Sequence, residues 1–414
     1  MGMDSPDISQ SWNKKNISIF FRESSLMAYK YPLAASSWDE LELNALKDTI
    51  AAGRFTMGEK VKAFEDNFAS YFGSRYAVMV NSGSSANLIM VAALRYIQDS
   101  KFKLNPGDEV IVPAISWSTT YYPLHQYGLH LKFVDVNSLT LNYDLLALSD
   151  AISDKTRAIM VVNLLGNSND FDEIKRLTAN KNLILIEDNC ESLGAEFKGN
   201  TTGTFGVMGS FSFFYSHHIS TMEGGMVLTN NEELYYLMLS IRSHGWTREI
   251  PKKHSLLDSS ERDSFTNSFN FILPGYNLRP LEMSGAIGIE QLKKLPSIIE
   301  ERRKNGALFQ SKMAEHPKFI IQQEIGESSW FGFSLILRKE FENQREFVAN
   351  QLKNLGFECR PIVAGNFVKN KVIDYFDYEV HSELKNADYI DRNGLFIGNQ
   401  HFPITEAIDQ LAKF

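Results

Sequence analysis

Short, continuously apolar runs alternate with stretches of helical periodicity along most of this chain. Tyr76 to Val80, Glu109 to Pro113, Leu131 to Val136, Ala158 to Asn163 and Leu183 to Glu187 are strand candidates set between polar turns. Their runs are solidly apolar rather than alternating, which suits parallel strands covered on both faces. Leu41, Leu43, Leu46 and Ile50 recur at roughly helical spacing, a second helix fits Glu59 to Tyr71, and a third fits Ala86 to about Ile97. Strand, helix and strand repeated in this way predict a three-layer α/β domain. Further on, Leu281 to Leu295 reads as a helix in which Ser284, Gly285, Ala286 and Gly288 permit close packing. Pro296 is expected to end that run, with a charged helical stretch after it. Trp330 to Leu337 and Glu358 to Pro361 are strand candidates in a smaller C-terminal α/β domain. The predicted organisation is a loose extension over 1–30, a large domain over 31–280 and a small domain over 281–414.

Composition narrows the function classes. The 414 residues are 43% hydrophobic and 22% charged, enough for a sizeable core in an ordinary globular protein. A net charge of -8 argues against nucleic acid as a partner, since a binder would carry a basic stripe. No apolar run approaches a membrane span, and Ile17 to Phe21 is too short for a signal-peptide core. Two cysteines, Cys190 and Cys359, make neither a disulfide framework nor a metal site. A cytoplasmic protein without a metal is the expectation.

Three stretches bear chemistry. Asn81-Ser82-Gly83-Ser84-Ser85 lies between a strand and a helix, where glycine permits a tight turn and a helix N-terminus favours an anion. It reads either as a phosphate cradle or as an N-capped helix after a turn. Asp188, in Glu187-Asp188-Asn189-Cys190-Glu191, stands at a strand's carboxyl end, where open α/β sheets bind ligands, although acidic residues there also serve as helix caps. The third is the run from Ser210 to Gly225, Ser-Phe-Ser-Phe-Phe-Tyr-Ser-His-His-Ile-Ser-Thr-Met-Glu-Gly-Gly. A histidine in such an apolar run is ordinarily a satisfied core residue.

This last run resembles the pyridoxal phosphate (PLP) segment of the DegT/DnrJ/EryC1/StrS sugar-aminotransferase family. That family shows Ser-Phe-Ser-Phe, then a lysine seven residues after the first serine and six before Glu-Gly-Gly. Both counts land on His217, and no lysine lies between Lys198 and Lys252. The other motifs follow in the family's order. Asn81 to Ser85 resembles its phosphate loop, and Asp188 with Glu191 its Asp-x-x-(Gln/His) motif. Trp117 matches an aromatic that stacks on the cofactor, and Gly275-Tyr276-Asn277-Leu278-Arg279 matches a segment whose asparagine reaches the other subunit's phosphate. The resemblance covers the chain from about Tyr31 onward. Glu191 stands where Gln or His is commoner, Met222 replaces the glycine usual before Glu-Gly-Gly, and Phe214 replaces a frequent histidine.

The resemblance implies a PLP-dependent aspartate-aminotransferase-like fold (fold type I) and a homodimer with shared active sites. It implies that Gly83, Ser84 and Ser212 hold the cofactor phosphate, with Asn277 contributed across the dimer. Trp117 would stack on the ring, Asp188 would pair with the pyridine nitrogen, and Glu191 would sit by the ring hydroxyl. Lysine forms a Schiff base with PLP, whereas imidazole retains only proton transfer. The His-His-Ile-Ser-Thr-Met-Glu-Gly-Gly run and Ser116 to Pro123 resemble family members that dehydrate a GDP-linked sugar. They imply that glutamate converts PLP into pyridoxamine 5′-phosphate (PMP), which engages the C4 ketone of GDP-4-keto-6-deoxymannose. His217 then carries a proton from the cofactor, the C3 hydroxyl leaves, and ammonia is released, on the route to GDP-colitose in O-antigen and lipopolysaccharide synthesis.

Three other readings fit the sequence less well. An iron–sulfur-dependent CDP-sugar dehydratase would need four cysteine ligands, and the chain has two. A PLP-binding regulatory protein that lost activity with its lysine is opposed by the survival of every other cofactor motif. A nucleotide-sugar aminotransferase would need a distant lysine.

Overall fold

The computed structural model describes residues 29–179, 181–251, 254–257 and 269–414. Of the expected 1–30 extension, residues 1–28 lie outside the described residues. Two helices, α1 (Glu40–Ala51) and α2 (Glu59–Tyr71), precede the first strand. Then β1 (Tyr76–Val80), β2 (Glu109–Pro113), β3 (His130–Val134), β4 (Thr156–Val162) and β5 (Ile184–Asp188) alternate with α3 (Gly83–Tyr96), α4 (Ser118–Gln126), α5 (Leu145–Ala151) and α6 (Phe171–Thr178). A short hairpin of β6 (Glu196–Phe197) and β7 (Asn200–Thr201) leads to β8 (Met208–Ser212), β9 (Gly225–Thr229) and α7 (Glu232–Arg242). The C-terminal part contains α8 (Glu282–Met313) and strands β10 (Phe319–Ile320), β11 (Gly332–Leu337), β12 (Cys359–Arg360), β13 (Tyr378–Val380) and β14 (Gly394–Gly398).

The central sheet has eight strands in the order β1-β9-β8-β5-β4-β2-β3-β13. Alternate side chains of each strand enter different cores, which makes the three layers. Val78 and Val80 pack with α3 and α7, while Ala77 and Met79 pack with α2 and α8. Likewise Ala158 and Met160 share the core of α3, whereas Ile159 and Val161 meet Phe171 and Ile174 of α6. With both faces buried, strand sequences read as continuous apolar runs. The sheet is parallel except at β9, which pairs antiparallel with both β1 and β8. A loop rather than a crossover helix joins β8 to β9, so the chain returns directly and must run antiparallel.

A second, four-stranded antiparallel sheet, β10-β11-β14-β12, packs under Phe309 and Met313 of α8. Two expectations need correction here. The helix does not end at Pro296 but runs unbroken from Glu282 to Met313. Proline removes a single donor, and burial of Leu292, Leu295, Ile298 and Ile299 on both sides of it holds the helix together. Nor does the segment after residue 280 keep to its own sheet, because β13 pairs parallel with β3 at the edge of the large one. At the other end Tyr31 bridges to Phe357, their ring centroids 4.6 Å apart, so the start of the described chain belongs with the small sheet.

Candidate active site

The site forms where β5 and β8 end and α3 begins. Ser82 caps α3, its hydroxyl accepting the Ser85 amide at 3.1 Å. The capped turn also leaves the amides of Gly83 and Ser84 at the start of the helix without i−4 acceptors, so a cap and an anion cradle are compatible here. Ser84 Oγ donates to Thr119 Oγ1 at 3.0 Å. Ser212, at the end of β8, faces Gly83, and a Cβ on that glycine would sit 2.5 Å from Ser212 Cβ and 3.0 Å from Cys190 Sγ. The opening of α3, the end of β8 and the turn after β5 thus converge on one small cradle.

Asp188 ends β5 and is buried. Its Oδ2 accepts from Asn87 Nδ2 at 2.8 Å and from Thr120 Oγ1 at 2.7 Å, and its Oδ1 accepts from the Cys190 amide at 3.2 Å. Asn87 is itself fixed by Ser210 Oγ, which donates to its Oδ1 at 2.6 Å. These four bonds orient an acceptor that suits a protonated ring nitrogen. Burial, and then Asp188, hold the Cys190 thiol well above its ordinary range, so it stays protonated. Glu191 is pushed up to about 7, chiefly by burial, against the Leu165 amide that donates to it at 3.0 Å; Asp188 adds to the rise. Trp117 precedes α4 and is 57% exposed, an aromatic face with room for a ring.

His217 lies in the loop between β8 and β9. Gly224 closes that loop, its carbonyl accepting the Phe213 amide at 2.9 Å, and Met222 adopts a left-handed φ of 69°. The imidazole meets Phe331 at 5.2 Å and Phe214 at 6.1 Å between ring centroids. Its Nδ1 is buried with no hydrogen-bond partner among the described residues. Burial, and then the positive charge of Arg302, lower its pKa to about 4, so the ring is neutral at physiological pH. His218 differs: it is fully buried and its Nε2 bonds the Ser329 carbonyl at 3.0 Å, a packing role.

The residues read from the sequence thus gather in three groups: Gly83 with Ser84 and Ser212, Asp188 with Glu191 nearby, and His217 against Phe331. Asn277 stands apart. Its Oδ1 accepts from Arg279 at 3.0 Å, and no hydrogen bond joins it to Gly83, Ser84 or Ser212 within the chain. Sequence reading missed Asn87, Thr120 and Ser210, which hold Asp188, and Phe331 and Arg302, which surround His217. Of these, Thr120 and Ser210 lay within motifs already singled out and Asn87 lay two residues past one, whereas Phe331 and Arg302 had no such signal. No group of residues able to hold a metal occurs among the described residues, and both cysteines are free. No described helix is long and apolar enough to cross a membrane.

The geometry fits a pyridoxal-type cofactor: a cradle that a Cβ would fill, a fixed buried carboxylate, an open aromatic face and an unpartnered imidazole nitrogen. Comparison with known proteins agrees. Residues 36–412 match the model of the DegT/DnrJ/EryC1/StrS aminotransferase family. The chain is 56% identical to GDP-4-keto-6-deoxy-D-mannose 3-dehydratase of Escherichia coli O55:H7, over 92% of its own length and 98% of that protein. It is 57% identical to the enzyme of the same name from Yersinia pseudotuberculosis, over 92% and 97%. The solved structure of the E. coli enzyme with bound hydrated PLP superposes with a TM-score of 0.91 at 55% identity, covering 93% of this chain and 99% of that one. A structure of the dehydratase with a trapped PLP–glutamate geminal diamine superposes with a TM-score of 0.90 at 55% identity, covering 92% and 99%. The chain belongs to the DegT/DnrJ/EryC1/StrS family.

Proposed function

We propose that this family member is a PLP-dependent dehydratase that removes the C3 hydroxyl of GDP-4-keto-6-deoxymannose, with glutamate as amino donor and ammonia as by-product. The observation that carries this reading is His217 at the lysine position of an otherwise complete cofactor site. Support comes from the 56–57% identity to enzymes of that name and from the glutamate adduct trapped in a close structural neighbour. That relatedness also favours a dehydratase over a regulatory binder or an aminotransferase.

Bound in this site, PMP supplies an amine for the C4 ketone and a ring that accepts the electron pair released on deprotonation. The chain's residues do the rest. Gly83, Ser84 and Ser212 hold the phosphate, and Trp117 covers one ring face. Asp188, fixed by Asn87 and Thr120, faces the pyridine nitrogen as the acceptor that keeps its proton in place. Glu191 sits by the ring hydroxyl, where a group titrating near 7 donates or accepts a hydrogen bond. His217, neutral above about pH 4, takes the proton from the cofactor's C4′ and delivers it to the departing C3 hydroxyl. Imidazole cannot form the imine that lysine uses to complete transamination, so elimination prevails. Residues 31–280 provide the cofactor cradle in this reading, and 281–414 supply the wall behind His217.

Asn277 finds no phosphate-loop partner within its own chain, which supports a homodimer in which each subunit lends this side chain to the other's site. A cytoplasmic location suits a chain with free thiols that draws on glutamate and a nucleotide sugar.

The test is to load the protein with PLP and glutamate, add GDP-4-keto-6-deoxymannose, and follow ammonia and the sugar product by mass spectrometry. A 3-deoxy ketosugar with ammonia is expected. A stable amino sugar without ammonia would overturn the role given to His217.

A further inference from the structure

Arg302, in α8, is an expensive residue with no evident counter-charge. Its side chain is 4% exposed, and burial alone draws its pKa down to about 10, with no carboxylate offsetting it. Burying a cation without a partner costs free energy unless other polar groups compensate. Here the compensation is two backbone carbonyls: Nη1 donates to Trp330 at 3.2 Å and to Phe331 at 3.1 Å, while Nε is buried without a partner.

Those carbonyls belong to a strap, residues 328–331, that is held at every step. Ser328 Oγ and the Ser329 amide both donate to the Gly166 carbonyl, at 2.8 and 2.9 Å. The Phe331 amide donates to the Leu165 carbonyl at 3.1 Å, and Trp330 takes a left-handed φ of 47°. Asn399 Nδ2 ties the Trp330 carbonyl (2.9 Å) to the Arg302 carbonyl (3.1 Å). The strap's other face meets the histidines: the Phe331 ring lies 5.2 Å from His217 and 5.9 Å from His218, and the Ser329 carbonyl bonds His218 Nε2.

We propose that Arg302 is a positioning residue for His217, fixing through the 328–331 strap the wall on which the imidazole rests and confronting that imidazole with an uncompensated positive charge. The proposal rests on the reading of His217 as the proton carrier. The titratable groups around His217, Arg302 and the strap are consistent with it. On its own loop stands His218, itself held well below the ordinary histidine range by burial and by Arg302. From α8 comes Arg302, whose positive charge adds to burial in lowering the His217 pKa. Glu191 bonds the Leu165 amide, one peptide from the carbonyl that holds Phe331. After β14 lies His401, lowered by burial, by Arg302 and by Lys294. A fixed cation disfavours the imidazolium, so a proton that His217 takes up is surrendered readily, which suits a group that must pass it on within the same turnover.

The experiment uses the PLP-loaded holoenzyme labelled with 15N-histidine. The His217 ring signals are titrated by NMR, and the conversion of bound PLP to PMP by glutamate is followed by absorbance. Neither measurement needs the sugar, so a wrong sugar assignment would leave both readable. A wild type that glutamate leaves unchanged would instead signal failure of the enzymatic reading. Arg302→Gln removes the charge and keeps a donor; the His217 midpoint is expected to rise on the order of one pH unit. Arg302→Lys keeps the charge but loses the planar fork; the midpoint is expected to stay low while the half-reaction slows about tenfold or more. An unmoved midpoint in the glutamine variant, or a lysine variant with the wild-type rate, overturns the proposal. If the glutamine variant fails to fold, the rate of the lysine variant decides.

Discussion

Gly83 and Ser212 approach so closely that no side chain fits between them: a Cβ on Gly83 would lie 2.5 Å from Ser212 Cβ and 2.9 Å from its Oγ. This contact brings the first amides of α3 against the hydroxyl that ends β8. A helix terminus and a strand end thereby meet at the place proposed for the cofactor phosphate. Replacing Gly83 with alanine must push Ser212 aside, and overpacking of this kind costs about 1–3 kcal/mol. The Gly83→Ala protein is expected to bind PLP roughly tenfold or more weakly, as measured by equilibrium dialysis, with its far-ultraviolet circular dichroism unchanged.

Asp188 depends on a donor that lies 68 positions away, Thr120, at 2.7 Å. Thr120→Val keeps the shape and removes the hydroxyl, at a loss of about 1–3 kcal/mol for a buried acceptor left one donor short. The expected outcome is a slower conversion of bound PLP by glutamate, by roughly tenfold to a hundredfold, read from stopped-flow absorbance. A rate equal to wild type would remove Thr120 from the support of Asp188.

His217 also predicts a pH dependence of stability. Its folded pKa, about 4, lies below the ordinary 6.5, so the folded state binds a proton less readily than the unfolded state. The contribution is present above about pH 6.5 and is lost as pH falls towards 4, on the order of 3 kcal/mol at most. His217→Asn should therefore flatten the dependence of the urea midpoint on pH in that window, compared with wild-type apoprotein. Parallel curves for the two proteins would show that the imidazole titrates normally.

Glu191 carries the opposite shift, upward to about 7. Its ionisation should therefore be visible in the bound cofactor's absorbance between about pH 6 and 8. Glu191→Gln, which keeps the shape and cannot ionise, is expected to abolish that spectral titration while PLP remains bound. Persistence of the transition would assign it to another group.

Loss of the imidazole is the sharpest test of its role. His217→Asn should bind PLP normally and lower dehydration by about 10²- to 10⁴-fold, the usual contribution of a positioned general base. Product formation within tenfold of wild type would show that another group carries the proton.

Much of this protein is readable along the chain alone. The apolar runs of β1, β2, β4 and β5 and the helices between them announce themselves because each element's burial pattern repeats within a few residues. The position of His217 is equally local, since it follows from counting between Ser210 and Glu223. Tertiary structure decided what such counting cannot reach. The reversal of β9 comes from a loop replacing a crossover, and the continuity of α8 through Pro296 comes from packing on both sides of it. The edge strand β13 pairs with β3, nearly 250 positions earlier, as Tyr378 stands opposite Leu131. The surroundings of His217 belong to this second class. Arg302, Ser329 and Phe331 carry no motif of their own, and they meet the histidines only because the fold brings α8 and the turn before β11 back onto the loop after β8. A side chain's local neighbours are set by periodicity and turn chemistry, whereas the charge and the wall that tune a catalytic group arrive from distant segments whose order in the chain records nothing of the contact.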